Sequence, residues 1–579
     1  MRTVGRSDRK SMGPGRFLYV RDAGSDAGRR GQSIQKPNVL LIIVDDLRPT
    51  LGSYGYPGVI TPNIDHLAGN SVLFTRAYAQ QALCGPSRTS FLTSRRPDTT
   101  RLYDVHSYWR KSAGNFTTIP QHFKENGYTT VSFGKVFHPG IVSGHTEDYP
   151  YSWTRPPYIP STLKYKMKKV CPGTDGKLYM NIMCPVDVAK QPEGTLPDIQ
   201  VTQAAVQFLK ETSTNQTKPF FLAVGFYKPH IPFKFPKEYL DLYPLSMIDL
   251  APDPDLPPRL PSVAWNPWAD LRERDDIKAL NVSWPYGPMP RQYQRLLRQG
   301  YYASTTYMDS LLGQLLTALD RYGYTKNTIL VLCGDHGWSL GEHQEWSKYS
   351  NYEVATRVPL MFSVPNITHK PGARLSLPQS STNNDSSRKI LYNLRSDALA
   401  ELVDIFPTLT DLAGVDTPPL CPLQSNKVDF CTEGKSLAGV IVNMSAAHSL
   451  IKMKDFATYK NMFHSGRTSV DFDNFASTKT AAFSQYPRPS VIPQIDSDQC
   501  KLQDIKIMGY TMRTDQYRYT EWVGFNASSL TSNWTQVYGR ELYFHLIDDR
   551  EDRNVANEKR YANLVSTLSE KLRKGWRYV

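Results

Sequence analysis

Apolar runs of strand length recur along the chain, separated by longer segments with other spacings. Residues 38–44 are almost wholly apolar and rich in β-branched side chains, which is typical of a strand buried on both faces of a sheet. Similar runs predict strands over residues 129–133, 220–226 and 328–332. Residues 295–319 carry apolar side chains at helical spacing and predict a long amphipathic helix. Strands that alternate with helices predict an α/β fold.

Charged and imidazole side chains follow the predicted strands, at the point where each run ends. Ligands of open α/β sheets lie at the carboxyl ends of the strands, so we expect these side chains to meet at one edge of the sheet. They are Asp45 and Asp46 after the first run, Lys135 and His138 after the second, His230 after the third, and Asp335 and His336 after the fourth. A histidine alone is more often a structural residue, and only the shared position favours a functional site.

The C-terminal part of the chain has a different pattern. Residues 505–513 and 517–524 alternate between apolar and polar positions around a turn at Thr514 and Asp515, which predicts a pair of antiparallel strands. We therefore predict a smaller antiparallel-sheet subdomain over residues 481–579 and a large domain, which carries the polar cluster, over residues 36–443. Residues 444–480 are less hydrophobic and are predicted to be a linker or an exposed excursion.

Composition and charge indicate a folded protein with an anionic partner. Hydrophobic residues make up 40% and aromatic residues 12% of the 579 residues, as in globular domains. The formal net charge is +14, which suits nucleic acid, acidic lipid or sulfated polysaccharide. We see no zinc-finger or ribonucleoprotein motif and no run long enough to span a membrane, so nucleic acid and a membrane span are not expected.

Cysteines and glycosylation sequons favour the secretory route. Cys171 and Cys184 bracket a short loop, as do Cys421 and Cys431, and disulfides can close loops of this size. Cys84, Cys333 and Cys500 then remain unpaired. Asn-x-Ser/Thr sequons occur at Asn115, Asn215, Asn281, Asn366, Asn384, Asn443, Asn526 and Asn533. Residues 1–35 disagree with this picture, because they form a basic leader without the apolar stretch of a signal peptide.

The pentapeptide Cys84-Gly85-Pro86-Ser87-Arg88 is the most informative motif. A cysteine just before a proline that opens a helix lies at the helix N-terminus, where backbone N–H groups favour an anion. Arg88 lies about one turn later and adds a planar cation. The alternative interpretation is a buried cysteine near a helix cap.

This Cys-x-Pro-x-Arg pattern, together with Asp45-Asp46 and Asp335-His336, resembles the signature of the type I sulfatases. The resemblance implies an alkaline-phosphatase-like α/β fold, in which a large mixed sheet is sandwiched by helices. It also implies that a formylglycine-generating enzyme oxidises Cys84 to formylglycine during biosynthesis, and that the hydrated aldehyde attacks sulfur. The resemblance further implies one bound Ca²⁺ ion as a cofactor.

The same resemblance assigns residue roles. The implied metal ligands are Asp45, Asp46, Cys84, Asp335 and His336, although imidazole is a poor Ca²⁺ ligand. The implied catalytic residues are Cys84, Arg88, Lys135, His138, His230 and Lys348. Lys135 and Lys348 would neutralise sulfonyl oxygens. His230 or Lys348 would protonate the departing sugar oxygen, and His138 would deprotonate the diol to release sulfate.

Further motifs narrow the resemblance within the family. They lie at residues 95–103, 134–140, 228–233, 335–343 and 484–489. These segments are similar to sulfatases that remove the 2-O-sulfate from non-reducing-end L-iduronate in heparan sulfate and dermatan sulfate, in lysosomes. Arg101 and Lys479 are candidates to bind the carboxylate of the sugar.

Three alternatives stay open: another sulfatase specificity, a phosphatase or phosphodiesterase of the same superfamily, and an inactive glycosaminoglycan-binding protein. One departure from the family bears on activity. The family usually continues the cysteine motif with Leu-Thr-Gly-Arg, whereas this chain has Leu92-Thr93-Ser94-Arg95. Because the modifying enzyme reads this neighbourhood, we expect reduced but nonzero formylglycine formation.

Overall fold

A computed structural model describes residues 36–377, 394–453 and 479–579. Its strands are β1 Asn38–Val44, β2 Val72–Tyr78, β3 Thr129–Gly134, β4 Cys171–Pro172, β5 Leu178–Tyr179, β6 Met183–Val186, β7 Phe220–Phe226, β8 Phe233–Pro236, β9 Thr328–Gly334, β10 Ser339–Leu340, β11 Trp346–Ser347, β12 Arg357–Ser363, β13 Arg395–Glu401, β14 Ala481–Arg488, β15 Ile507–Thr514, β16 Tyr517–Asn526 and β17 Thr531–Phe544.

The α-helices range from single turns to one of eight turns or more. They are α1 Pro62–Ala68, α2 Cys84–Thr93, α3 Pro97–Thr100, α4 Trp109–Ser112, α5 Ile119–Glu125, α6 Pro197–Asn215, α7 Ala269–Arg272, α8 Asp275–Lys278, α9 Arg291–Arg321, α10 Glu353–Thr356, α11 Ile405–Ala413, α12 Ala438–Met453 and α13 Ala562–Lys574. Short 3-10 turns join many of them.

The larger sheet has seven strands in the order β13-β2-β12-β9-β1-β7-β3. Strands β3, β7, β1 and β9 are mutually parallel, and β12 runs antiparallel to both of its neighbours. The sheet is therefore mixed, as predicted. Since the four parallel strands point the same way, the segments that follow them lie at one edge of the sheet.

Helices cover both faces of this sheet, which explains why β1 is apolar throughout. Leu40, Ile42 and Val44 pack into a cluster with side chains from α1, α6 and α9. The alternate residues Val39, Leu41 and Ile43 pack into a second cluster with α2, α5 and α11. Because successive side chains of a strand point to opposite faces, a strand in this position needs apolar residues at every position.

The C-terminal sheet is antiparallel, with the order β14-β15-β16-β17, and α13 packs on it. Its apolar side chains are shared with the larger sheet's loops: Trp522 and Tyr486 cluster with Leu83 and Tyr349. The predicted antiparallel sheet is thus confirmed, and it is joined to the larger part by a common core.

Most sequence predictions of individual elements agree with the structure. Strands β1, β3, β7, β9, β15 and β16 and helix α9 fall where the patterns place them. Strands β2, β12 and β13 of the larger sheet and the C-terminal helix α13 were not predicted. The domain boundaries stay a prediction: residues 1–35 and 454–478 lie outside the described residues, and α12 crosses the proposed boundary at residue 443.

Both predicted disulfides are present, Cys171–Cys184 and Cys421–Cys431. Cys84, Cys333 and Cys500 are free, as expected, and all three are buried. In the described parts of the chain, helices that combine enough length with enough apolar character to cross a bilayer are absent.

Gly225 in β7 lets the chain after β3 pass close to the sheet. A Cβ atom built at Gly225 would overlap the carbonyl group of Lys135. The backbone N–H of Lys135 donates a hydrogen bond to Gly225 O, and the N···O distance is 2.9 Å. Neither backbone can move without disturbing the pairing of β3 and β7. This glycine therefore sets the position of Lys135 at the sheet edge.

We expect Gly225→Ala to destabilise the fold by about 1–3 kcal/mol, because overpacking against backbone forces the strands apart. Thermal melting measures the effect. The control is Gly439→Ala in α12, where an added Cβ meets no atom within 4 Å and alanine has the higher helix propensity, so its melting temperature does not fall. Equal melting of the two variants would contradict the close approach.

Candidate functional site

The functional side chains converge where the four parallel strands of the larger sheet end. Asp45 and Asp46 follow β1, Lys135 follows β3, His230 lies shortly after β7, and Asp335 follows β9. The sequence predicted this convergence from the strand pattern alone. Helix α2 adds Cys84 and Arg88, and the loop after β11 adds Lys348.

Cys84 is the first residue of α2 and is buried. Its Sγ atom lies 3.0 Å from Lys348 Nζ, 3.2 Å from His336 Nε2 and 3.4 Å from Asp45 Oδ1. Burial and then the charge of Asp45 raise the pKa of the thiol, which disfavours a thiolate. The site therefore surrounds this cysteine closely without activating it as a sulfur nucleophile.

Three carboxylates and three cations surround the cysteine. Asp45 pairs with Lys135 at 2.5 Å, and Lys348 pairs with Asp46 Oδ1 at 2.8 Å. These contacts hold the pKa of Asp45 well below its usual value against burial, and that of Lys348 well above its usual value. The third carboxylate, Asp335, accepts a hydrogen bond from the backbone N–H of Asp46 at 3.0 Å.

Arg88 connects the carboxylates to each other. Its Nη2 lies 3.1 Å from Asp45 Oδ1, and its Nε lies 2.8 Å from Asp335 Oδ2. The guanidinium also donates to the backbone carbonyls of Lys135 and Val136. Because the side chain is fully buried and its charge is neutralised, its role here is to fix the positions of the acidic strand ends.

The two histidines next to Asp46 present the same ring nitrogen to the site. His336 Nδ1 lies 2.9 Å from Gly337 O, and His230 Nδ1 lies 2.6 Å from Ile231 O. A carbonyl only accepts, so each Nδ1 carries the hydrogen, and each neutral ring turns an Nε2 lone pair toward the carboxylates. Burial lowers the pKa of both rings, which keeps them neutral.

His138 lies half-buried beyond Lys135. Within the described residues, its Nδ1 has no hydrogen-bond partner. Burial, followed by the nearby charges of Lys135 and Lys166, holds its pKa well below the ordinary value. The ring is therefore a neutral imidazole whose Nδ1 is uncommitted, and a neutral imidazole is the form that accepts a proton.

The acidic residues fit a hard divalent cation. Ligand atoms of Asp45, Cys84, Asp335 and His336 lie within 4.8 Å of one another, as do those of a second group that includes Asp46 and His230. Asp46 Oδ2 is buried, and the described residues provide it with no hydrogen-bond partner. Burial raises the pKa of Asp46 to about 7, so a cation would supply the partner that this oxygen lacks.

The two residues proposed for the sugar carboxylate are not part of this cluster. Lys479 is buried against Glu401 and Asp404, at 2.7 Å from each. Two carboxylates already neutralise its ammonium, so the structure does not support its role as a sugar ligand. Arg101 is half-buried at the end of α3, and none of its hydrogen bonds or ion pairs in the described residues reaches the Cys84 cluster.

Ser94 occupies a backbone position that favours glycine. It ends α2 with φ 52° and ψ 40°, in the left-handed region. Its hydroxyl contacts Val403 O and Thr432 Oγ1, both at 2.6 Å. The family's glycine at this point thus has a conformational reason, and the serine hydroxyl offsets part of the strain.

Sequence reasoning missed Lys166, whose charge acts on His138, His230 and the residues around Cys84. It follows the 3-10 turn Ser161–Tyr165 in an irregular segment. The sequence around it is rich in lysine, and nothing in that pattern distinguishes Lys166 from its exposed neighbours.

Comparison with known proteins identifies the class of enzyme. The Sulfatase family model matches residues 37–415, so the chain belongs to the sulfatase family. Among characterised relatives, it is 52% identical to iduronate 2-sulfatase of Mus musculus over 533 residues, which cover 92% of this chain and 93% of the mouse protein. It is likewise 52% identical to iduronate 2-sulfatase of Homo sapiens over 534 residues, with the same coverage of each chain.

Solved structures confirm the fold at lower sequence identity. A phosphonate monoester hydrolase of Agrobacterium radiobacter aligns with a TM-score of 0.60 and 19% identity, covering 93% of this chain and 95% of the other. A protein described as a 2-O GAG sulfatase aligns with a TM-score of 0.56 and 19% identity, covering 93% and 92%. At this identity the likeness concerns the fold alone, and it agrees with the predicted alkaline-phosphatase-like architecture.

Proposed function

We propose that this sulfuric ester hydrolase removes the 2-O-sulfate of L-iduronate at the non-reducing end of heparan sulfate and dermatan sulfate. The observation that carries the proposal is the Cys84 site, assembled as sulfatase chemistry requires, in a chain 52% identical to iduronate 2-sulfatases over nearly its full length. The net charge of +14 is consistent with a polyanionic substrate.

In this proposal, position 84 provides the nucleophile after oxidation of the cysteine to formylglycine. When hydrated, that group supplies a hydroxyl for attack on sulfur. Support comes from the family motif and from the raised pKa of the unmodified thiol, which is poorly suited to act by itself. The position at the head of α2 also directs backbone N–H groups toward an anion.

The cations around Cys84 have complementary roles in binding a sulfate ester. Lys135 and Lys348 are held as ammonium groups by Asp45 and Asp46, so each offers a preorganised positive charge to the sulfonyl oxygens. Lys348 is also the protonated group closest to Cys84, at 3.0 Å, and is therefore placed to donate a proton to the departing sugar oxygen. Arg88 keeps the acidic residues in position.

The neutral histidines suit proton acceptance better than proton donation. His230 and His138 both have pKa values held well below the ordinary value, chiefly by burial. We assign His138, with its uncommitted Nδ1, to removal of the proton that accompanies sulfate release. His230 Nε2 carries a lone pair and has no hydrogen to donate to the departing oxygen, so Lys348 is the proposed proton donor.

We propose Ca²⁺ as the resident cation, held by Asp45, Asp46, Asp335 and position 84. The ligands are mostly carboxylate oxygens, which Ca²⁺ prefers, and His336 lies at the edge of the group. Such an ion would lower the pKa of a coordinated hydroxyl and add positive charge beside the sulfate.

The lysosome, reached by the secretory route, is the proposed place of action. The two disulfides support this, because such bonds persist in oxidising compartments. A formylglycine-generating enzyme would act on the chain during that passage. The proposal of the lysosome in particular is based on the resemblance to lysosomal sulfatases.

Of the predictions that follow from this function, the first concerns specificity. We expect sulfate release from a 2-O-sulfated iduronate disaccharide with a kcat/KM at least about a hundredfold above that for N- or 6-O-sulfated glucosamine, because a polar pocket rejects substrates that leave its groups unpaired. Ion chromatography measures the sulfate. Cys84→Ala, as the control, should reduce release to background.

Two outcomes of that assay would favour an alternative function. Faster turnover of a matched phosphate ester would indicate a phosphatase of the same superfamily, whose fold the phosphonate monoester hydrolase shares. Binding of heparan sulfate fragments without any sulfate release would indicate an inactive glycosaminoglycan-binding protein.

The second prediction concerns the modification of Cys84. We expect partial conversion to formylglycine in protein secreted by animal cells, and a larger converted fraction in Ser94→Gly, which restores the usual motif. Mass spectrometry of the peptide that contains Cys84 measures both fractions, with Ser107→Gly as a control outside the motif. An unmodified thiol in every molecule would refute the proposed nucleophile.

The third prediction concerns the cation. Adding Ca²⁺ to chelator-treated protein should raise its melting temperature, since an ion at a hundred times its Kd contributes about 2.7 kcal/mol to folding. Asp46→Asn should lose most of this shift. Asp309→Asn, a buried carboxylate that contacts Asn63 and Ile64 instead, should keep it. An unchanged shift in Asp46→Asn would contradict the proposed ligand set.

A further inference from the structure

A cavity lined by lysines adjoins the site at His230. Its walls include Lys166, Lys228 and Lys234, together with the carboxylate of Asp198 and the ring of His230. The opposite edge of that ring leads to the reactive cluster, because His230 Nε2 lies 4.0 Å from Asp46 Oδ2. The cavity and the reactive cluster therefore share the side chain of His230.

The cavity has an excess of positive charge. Asp198 is its carboxylate, and it already accepts the backbone N–H groups of Tyr227 and Lys228 at 2.7 and 2.9 Å. Lys228 is also occupied, because its ammonium donates to the carbonyls of His230 and Pro232. Asp198 and Lys228 are thus engaged with backbone groups, and the other lysines of the lining are Lys166 and Lys234.

Lys166 and Lys234 have no such partners. In the described parts of the chain, neither ammonium forms a hydrogen bond or an ion pair. Lys234 is 9% exposed, and Lys166 is half-buried. An ammonium group withdrawn from water without a counterion is unfavourable, so an anion that enters the cavity would recover that free energy.

The charge of Lys166 also reaches the reactive cluster. Burial and then the like charge of Lys135 lower the pKa of Lys166 to about 8, with opposing contributions from Asp45 and Cys84. Lys166 in turn lowers the pKa of His138 and His230. It thus lies near the sulfate-binding site without taking part in the ion pairs that build it.

We propose that Lys166, together with Lys234 in the same cavity wall, binds a second anionic group of the substrate, distinct from the sulfate that is removed. This group is either the carboxylate of the same uronate ring or a sulfate on the adjoining sugar. The inference rests on the proposed function, and it replaces Lys479 and Arg101 as the residues that recognise the rest of the sugar chain.

The test measures binding separately from turnover. In a Cys84→Ala background with Ca²⁺ present, isothermal titration calorimetry gives Kd for a 2-O-sulfated iduronate–N-sulfoglucosamine disaccharide. We expect Lys166→Met to raise this Kd about tenfold, as loss of one charge-assisted contact does. Lys166→Arg should restore most of the affinity. Kd for inorganic sulfate, which has no second anionic group, should stay within about twofold.

Lys168→Met is the matched control, because Lys168 is an exposed lysine on the same segment and lies outside the cavity lining. It should leave both Kd values unchanged. Two modified disaccharides identify the anion: a carboxyl-reduced uronate tests the carboxylate, and an N-acetylated neighbour tests the second sulfate. Lys166→Met and the protein with Lys166 intact should have equal Kd for the disaccharide that lacks the anionic group contacted by Lys166.

The proposal is overturned if Lys166→Met has the same Kd for the disaccharide as the protein in which Lys166 is intact. It is also overturned if Kd for inorganic sulfate rises by the same factor, which would indicate a structural role. Failure of the proposed function is a separate result: protein with Cys84 intact would then release no sulfate from the disaccharide, whatever residue stands at position 166.

Discussion

The site depends on one buried interaction, the guanidinium of Arg88 held between Asp45 and Asp335. These three side chains come from the helix that begins with Cys84 and from the ends of two parallel strands. Removing charges from water is costly unless they are paired, so the pairing fixes the helix and both strand ends together. Every other residue of the cluster is placed relative to that arrangement.

Charge balance explains how so many ionic groups are tolerated in the interior. The carboxylates of Asp45, Asp46 and Asp335 are matched by the cations of Arg88, Lys135 and Lys348. One buried oxygen of Asp46 stays without a hydrogen-bond partner in the described residues, which suits it as a ligand of the proposed metal ion. A divalent ion would then leave the cluster positive, which suits an anionic sulfate ester.

The C-terminal sheet contributes to the site although it provides no residue that contacts Cys84 among the described contacts. Arg488, at the end of β14, donates to the carbonyls of Val263 and Tyr349, the latter at 2.7 Å. Tyr349 follows Lys348 in the chain, and the carbonyl of Lys348 itself accepts from Asn266. The second sheet therefore supports the loop that brings Lys348 to Cys84, which gives a physical reason for its shared core with the larger sheet.

The sequence by itself determined the four parallel strands, the polar residues at their ends, the helix-opening cysteine motif and both disulfides, because each is set by local pattern or short spacing. It did not reveal β13, a sheet-edge strand whose exposed polar residues break the apolar pattern. Only the tertiary structure decided that Lys479 is neutralised by Glu401, 78 residues away, and that Lys166 faces the cavity at His230. Such partnerships join distant segments, and no local property of a lysine distinguishes a paired ammonium from an unpaired one.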